Sequence, residues 1–92
     1  MIVRISTEGQ YRLQSALLDH LNQIDNRIVD AVAREDEAAF QQLFRELVAY
    51  VRSNGEVVPA EELAASDVIL PPPDTSLREA RELFADEGII PG

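Results

Sequence analysis

The chain of 92 residues contains no cysteine, a single histidine and four glycines that stand apart from one another. Without thiols it can form neither a disulfide nor a thiolate nucleophile, which suits a reducing compartment. His20 has no Cys or Ser partner in sequence for a nucleophilic pair, and a histidine on a helix surface is typically structural. Isolated glycines make no phosphate-cradling loop. We therefore expect no enzyme activity, no metal and no cofactor.

Long apolar segments are also missing from the sequence. No apolar run approaches the roughly 20 residues that a membrane-spanning helix requires. The opening Met1-Ile2-Val3-Arg4 enters a predicted strand directly, without the basic and long apolar segments of a signal peptide. The length suffices for one domain with a single modest core. We expect a cytoplasmic single-domain protein without direct membrane insertion.

Basic residues are scarce, with eight against seventeen acidic ones and a net charge of −9. Residues 1–13 carry a net +1 and residues 14–53 a net −3. Residues 54–92 hold nine acidic residues and two arginines, which gives −7. We call residues 54–92 the acidic C-terminal part. A surface of this sign repels nucleic-acid phosphates and anionic lipids, so binding to nucleic acid is disfavoured.

Residues 15–53 predict two amphipathic helices, because apolar residues recur at steps of three and four. The two apolar stripes are Leu17, Leu21, Ile24, Ile28 and Ala31, and Phe40, Leu43, Phe44, Leu47, Val48, Tyr50 and Val51. The three residues between the helices permit only an antiparallel hairpin. We expect Ser15 and Asp36 to be the N-caps and Gly55 to end the second helix in a left-handed conformation. The wide second stripe must also pack on a sheet, or on a second subunit as a homodimer.

Residues 1–13 predict a β-hairpin, and side-chain parity indicates its register. A three-residue loop pairs Val3 with Leu13 and Ile5 with Tyr11, which makes one face wholly apolar. A two-residue loop would mix charged and apolar groups on each face, so we favour the first register. Because an isolated hairpin is only marginally stable, we expect a third strand near 68–70.

The favoured register also places Arg4 directly opposite Arg12. Two like charges in this position cost stability unless a carboxylate or another acceptor lies between them. One interpretation is a pair of solvated arginines with an acidic neighbour from the acidic C-terminal part. The other is a site for an anion or a partner.

The acidic C-terminal part contains three consecutive prolines, then a capping box that runs from Ser76 to Glu79. The capping box predicts a helix from Leu77 to about Ala85. The predicted fold is α+β within one domain, 1–92. It comprises the β-hairpin at 1–13 with a third short strand, packed on the helical hairpin at 15–53, and a short helix within 54–92.

Four segments of the sequence resemble the PspA-associated protein family, PspAA, found beside the phage-shock protein PspA in bacterial and archaeal gene neighbourhoods. They are residues 1–5, 8–12, 67–72 and 86–92. The resemblance implies a small cytoplasmic α+β protein without known catalysis, associated with the PspA envelope-stress system. Its partner would be a PspA-like coiled-coil protein, through which it would reach the membrane periphery. The family has no established functional residues to transfer.

The hypothesis favoured by this resemblance is a non-catalytic protein-interaction module. The alternatives are a small-ligand sensor, with a pocket between sheet and helical hairpin, and a structural dimerisation domain. The partner-binding candidates are Phe84, Ile89 and Ile90, where apolar side chains occur beside acidic ones, together with Arg4 and Arg12. The alternative is a purely structural role, in which Ile89 and Ile90 pack against the core of their own domain.

Overall fold

The computed structural model describes residues 1–6, 8–62, 64–72 and 74–83, with the backbone alone for 82 and 83. Within these residues the chain forms four strands and three α-helices, and a 3-10 turn at Ser15–Leu17 precedes the first helix. The elements in chain order are β1 (Ile2–Ile5), β2 (Gly9–Arg12), α1 (Leu18–Ala33), α2 (Glu37–Asn54), β3 (Glu56–Val57), β4 (Val68–Leu70) and α3 (Leu77–Leu83). The α+β class and the helical hairpin are confirmed.

The strands form one mixed sheet in the order β3-β2-β1-β4. β1 is antiparallel to β2 and parallel to β4, and β3 is antiparallel to β2. The predicted third strand is β4, and β3 adds a fourth that the sequence pattern did not indicate. The helical hairpin connects β2 to β3 on one face of the sheet. Residues 58–67, the crossing segment, connect β3 to β4 from one edge of the sheet to the other.

The predicted register of the β1–β2 hairpin is wrong by two residues. The shift is even, so the predicted apolar face is kept, but Arg4 no longer lies opposite Arg12. The observed register lets Leu13 N–H donate to the Met1 carbonyl at 2.8 Å, which adds a pair at the open end of the hairpin. Gly9 is itself paired, with a φ of 136°. The observed pairs are Ile2 with Arg12, Val3 with Tyr11, Arg4 with Gln10 and Ile5 with Gly9.

One of the two predicted N-caps of the helical hairpin is correct. Asp36 caps α2, since its Oδ1 accepts from the Ala39 N–H at 3.1 Å. Ser15 is not the cap of α1, because that helix begins only at Leu18 and has no side-chain cap. The 3-10 turn takes over part of this role, with Leu17 N–H donating to the Gln14 carbonyl at 3.0 Å.

The left-handed residue of the helical hairpin is Glu35 and not Gly55. Glu35 has a φ of 56°. Its N–H donates to the Val32 carbonyl at 3.1 Å, and the Asp36 N–H donates to the Ala31 carbonyl at 2.9 Å. These two bonds are the Schellman arrangement that closes a helix C-terminus, here built without glycine.

Gly55 follows α2 in an extended conformation, with φ −87° and ψ 154°, so the predicted left-handed cap is wrong. Glycine is needed there for space. A Cβ at this position would lie 2.7 Å from the Val51 carbonyl oxygen and 2.9 Å from the Tyr11 Cβ. The absence of a side chain therefore lets the end of α2 approach β2 closely.

The predicted capping box opens α3. Ser76 Oγ accepts from the Glu79 N–H at 3.3 Å, and the Ser76 N–H donates to Glu79 Oε1 at 3.4 Å. The Arg81 guanidinium on the same helix pairs with the Glu35 carboxylate in the turn of the helical hairpin. The helix is thus attached to the end of the hairpin, while its predicted end near Ala85 lies outside the described residues.

The core lies between the sheet and the helical hairpin. Eleven residues of the β-hairpin and the helical hairpin are predicted to form this core; ten of them are buried, and Leu17 is partly exposed and packs against the others. The aromatic rings of Phe40 and Phe44 are stacked, with centroids 5.6 Å apart. The predicted members that are buried are Val3, Ile5, Leu13, Leu21, Ile24, Ile28, Phe40, Phe44, Leu47 and Val51.

We predict that Leu47→Ala lowers the free energy of unfolding by about 2 to 5 kcal/mol, because Leu47 is fully buried and its truncation leaves a cavity. Chemical denaturation measures the change. Gln42→Ala, on the exposed face of α2, is the control and should stay within about 0.5 kcal/mol of the parent. A loss below that value for Leu47→Ala would contradict the assigned core face.

We also predict that Gly55→Ala destabilises the fold by about 1 to 3 kcal/mol, because the added methyl group overlaps the Val51 carbonyl oxygen at the end of α2 and the Tyr11 Cβ of β2. Ser53→Ala, at an exposed position two residues earlier, is the matched control. Equal stability of the two variants in chemical denaturation would refute the close approach.

Candidate functional site

The face of the sheet turned away from the helical hairpin, here called the outer face, carries both arginine candidates. Alternation along the strands places Ile2 and Arg4 of β1, Gln10 and Arg12 of β2 and Ile69 of β4 on this face. The exposed fraction of Ile69 is 59%, which is high for a large apolar side chain. The alternation of side chains therefore places Arg4 and Arg12 on the same face of the sheet, as expected. The two arginines do not lie opposite each other in the hairpin, since Arg4 pairs with Gln10 and Arg12 with Ile2.

The crossing segment is fixed to the outer face by side-chain hydrogen bonds. Gln10 Nε2 donates to the Ala64 carbonyl at 3.0 Å and to Ser66 Oγ at 2.7 Å. At the far end, the Ile2 N–H donates to Asp67 Oδ2 at 2.7 Å. These three bonds hold the connection between β3 and β4 against the middle of the sheet.

The two arginine candidates differ in their ion pairs. The Arg12 guanidinium pairs with the Glu62 carboxylate, and both side chains remain about half exposed. This carboxylate belongs to the acidic C-terminal part, as in the first of the two interpretations of the arginines, although that interpretation rested on a register that places Arg4 opposite Arg12. Arg4 is exposed and makes no ion pair within the residues that the structure describes. Of the two, Arg4 is the one with its charge available to a ligand or partner.

Val58, the first residue of the crossing segment, has a buried apolar side chain. Its exposed fraction is 6%, yet it is separate from the main cluster of core side chains. Its N–H donates to the Gln10 carbonyl at 3.0 Å, which continues the pairing of β3 with β2 by one residue. The burial of Val58 shows that the crossing segment covers part of the sheet.

A second ion pair joins the loop of the β-hairpin to the end of α2. The Glu8 carboxylate accepts two hydrogen bonds from the Arg52 guanidinium. This bond raises the pKa of Arg52 above its ordinary value. The arrangement holds both charges in a fixed position at one end of β2.

A cavity of about 390 Å³ lies where these groups meet, at the β-hairpin-loop end of β2. The sensor alternative predicted a pocket between sheet and helical hairpin, but fully buried core side chains occupy that layer. The cavity instead lies beside the crossing segment. Its lining includes Arg4, Glu8, Gln10, Val58, Glu62 and Ala64.

The remaining candidates contribute little to this geometry. Phe84, Ile89 and Ile90 lie outside the described residues. His20 is exposed and packs against Tyr50, with ring centroids 4.6 Å apart, which fits the structural role expected of it.

Within residues 1–6, 8–62, 64–72 and 74–83, no group of three or more His, Cys, Asp or Glu side chains could hold a metal ion. Nor is any helix of this part of the chain long and apolar enough to cross a membrane.

Asp25 on α1 is a buried carboxylate that is not among the predicted site residues. Its exposed fraction is 0%. No buried side-chain nitrogen or oxygen of the described residues lacks a hydrogen-bond partner. The available signal was its spacing, four residues after Leu21 and three before Ile28, which places it on the apolar stripe.

Comparison with known proteins gives one match. The family model described as PspA-Associated protein, PspAA, matches residues 1–92, the whole chain. No curated protein and no solved structure matches the chain.

We predict that Gln10→Ala releases the crossing segment and destabilises the fold by about 1 kcal/mol, because two hydrogen bonds are lost. Amide hydrogen exchange should become faster in the crossing segment while α1 and α2 keep their protection. Gln42→Ala, at a position exposed on α2, is the control. Unchanged exchange in the crossing segment would show that Gln10 does not hold it in place.

Proposed function

Because the chain belongs to the PspA-associated protein family, PspAA, we propose that it is a non-catalytic interaction module of a phage-shock envelope-stress response. The family match over the whole chain is the observation that carries the proposal. The partner is a PspA-like coiled-coil protein in the cytoplasm, and the module reaches the membrane periphery through that partner. A homodimer is compatible with this role.

The acidic C-terminal part supplies one contact surface in this proposal. It combines a net charge of −7 with the apolar residues Phe84, Ile89 and Ile90. The long amphipathic helices of a PspA-like protein carry basic as well as acidic side chains, and an acidic surface is attracted to a basic stripe among them. The charge then mainly raises the association rate and sets the register, and the apolar side chains slow dissociation.

The outer face supplies a second contact surface, centred on Arg4. Arg4 has no ion pair among the described residues, and the exposed Ile69 is its neighbour on β4. An acidic side chain of the partner could pair with Arg4 without displacing an internal partner. Arg12 would first have to leave Glu62. Among the arginine candidates we therefore assign the partner contact to Arg4.

We predict that the full chain binds the purified PspA-like protein of its host and that deletion of residues 88–92 abolishes this binding with an unchanged Tm. Ile89→Ser/Ile90→Ser tests the apolar contact at constant chain length and should weaken binding similarly. Binding is measured by titration at low and moderate salt, and it should weaken steadily as screening increases.

Gln42→Ala, on α2, is the control for this experiment and should bind like the parent. Absence of binding by the full chain would refute the interaction with the PspA-like protein. A large fall in Tm on deletion would make residues 88–92 a structural clasp of their own domain. Binding that is independent of salt would remove the electrostatic contribution.

A further inference from the structure

The cavity at the end of β2 has one uncompensated positive charge. Among the described residues that line it, Arg4 is the one cationic side chain, and it makes no ion pair. The lining carboxylates of Glu8 and Glu62 are already paired with Arg52 and Arg12, respectively. The cavity and its immediate partners therefore carry a net charge of about +1.

A guanidinium group in this setting selects a particular kind of anion. Its planar fork of N–H donors matches the two oxygens of a carboxylate through parallel hydrogen bonds. The neighbouring carboxylates of Glu8 and Glu62 repel a second negative charge, since they lie in the same lining. Charge balance thus favours a monoanion over a phosphate dianion.

The rest of the lining is suited to a short apolar group. Three apolar side chains belong to the lining: Val58, which is almost fully buried, Ala64, which is half-buried, and Ala60, which is exposed. The wall is also held in position, because Gln10 Nε2 donates to the Ala64 carbonyl. The volume of about 390 Å³ lies within the range of small-molecule sites, which is roughly 300 to 1,000 Å³.

We propose that this cavity binds a small monocarboxylate, with the carboxylate on Arg4 and a short aliphatic tail against Val58, Ala60 and Ala64. The proposed ligand and the proposed acidic contact of the PspA-like protein both use the guanidinium of Arg4, so the two compete for that side chain. The cavity differs from the ligand pocket that the sequence suggested, since it lies beside the crossing segment and uses the charge of the outer face.

The test uses the full chain and butyrate as the probe, with sodium chloride added to keep the ionic strength constant. We expect butyrate to raise the Tm in a saturable way, by roughly 5 °C or more at ten times its Kd. In NMR titrations, the amides of Gly9, Ala60 and Ala64 should shift together and give one Kd. Arg4→Gln should weaken binding roughly tenfold to a hundredfold, since a charge-assisted bidentate contact is lost.

Two further variants separate the site from general effects of charge. Ala60→Leu fills the cavity without changing charge and should also abolish binding. Arg78→Gln removes the same charge from an exposed arginine on α3 that makes no ion pair in the described chain, and it should bind like the parent. If Arg78→Gln weakened butyrate binding as much as Arg4→Gln, or if Ala60→Leu bound butyrate like the parent, the proposed site would be wrong.

The ligand class is tested with butanol and inorganic phosphate. Neither should produce the shifts at Gly9, Ala60 and Ala64 at the concentrations where butyrate saturates. An equal response to butanol would show that Arg4 plays no part, and an equal response to phosphate would show that the site does not select a monocarboxylate. Either result, or no response to butyrate, overturns the proposal whether or not the PspA-like protein binds.

Discussion

The alternation of side chains along β1 is the constraint on which the other layers depend. β1 lies between β2 and β4, and its Val3 and Ile5 side chains are fully buried against the helical hairpin. Ile2 and Arg4 point to the opposite face, where the crossing segment lies. A shift of one residue would place the arginine in the core and two apolar side chains outside. The side-chain pattern of this one short strand thus determines which face of the sheet packs against the helices and which face carries the arginine.

Features that depend on neighbours in sequence could be predicted, and features that depend on distant contacts could not. Helical periodicity located the core, and the caps at Asp36 and Ser76 follow from side chains within three residues of the amides they serve. The role of Gly55 was missed because one of the two contacts that leave no room for a Cβ is with Tyr11, 44 positions earlier in the sequence. The hairpin register was missed because it was inferred from which side chains share a face of the sheet. A shift of two residues leaves every side chain on the same face, so this criterion cannot detect it.

The candidate site divides in the same way. Parity along β1 and β2 was enough to place Arg4 and Arg12 on one face, and the charge distribution indicated that an acidic neighbour would come from the acidic C-terminal part. Nothing local to Gln10 indicates that it bonds to Ala64 and Ser66, which are 54 and 56 residues away. The cavity follows from those contacts. No pattern in the sequence therefore indicated a cavity at this place.

The parallel pairing of β1 with β4 has a consequence for how the chain is made. The Ile2 N–H donates to Asp67, 65 residues later, so one edge of β1 stays unpaired until residues 67–70 have left the ribosome. The β-hairpin and the helical hairpin can form earlier from local contacts, whereas closing the sheet requires a long loop and is intrinsically slower. During that interval the nascent chain exposes the edge Ile2–Ile5, where a strand of another chain could pair. The strand that finally covers this edge, β4, is apolar, but it belongs to the acidic C-terminal part, whose net charge of −7 makes neighbouring chains repel one another as the sheet closes.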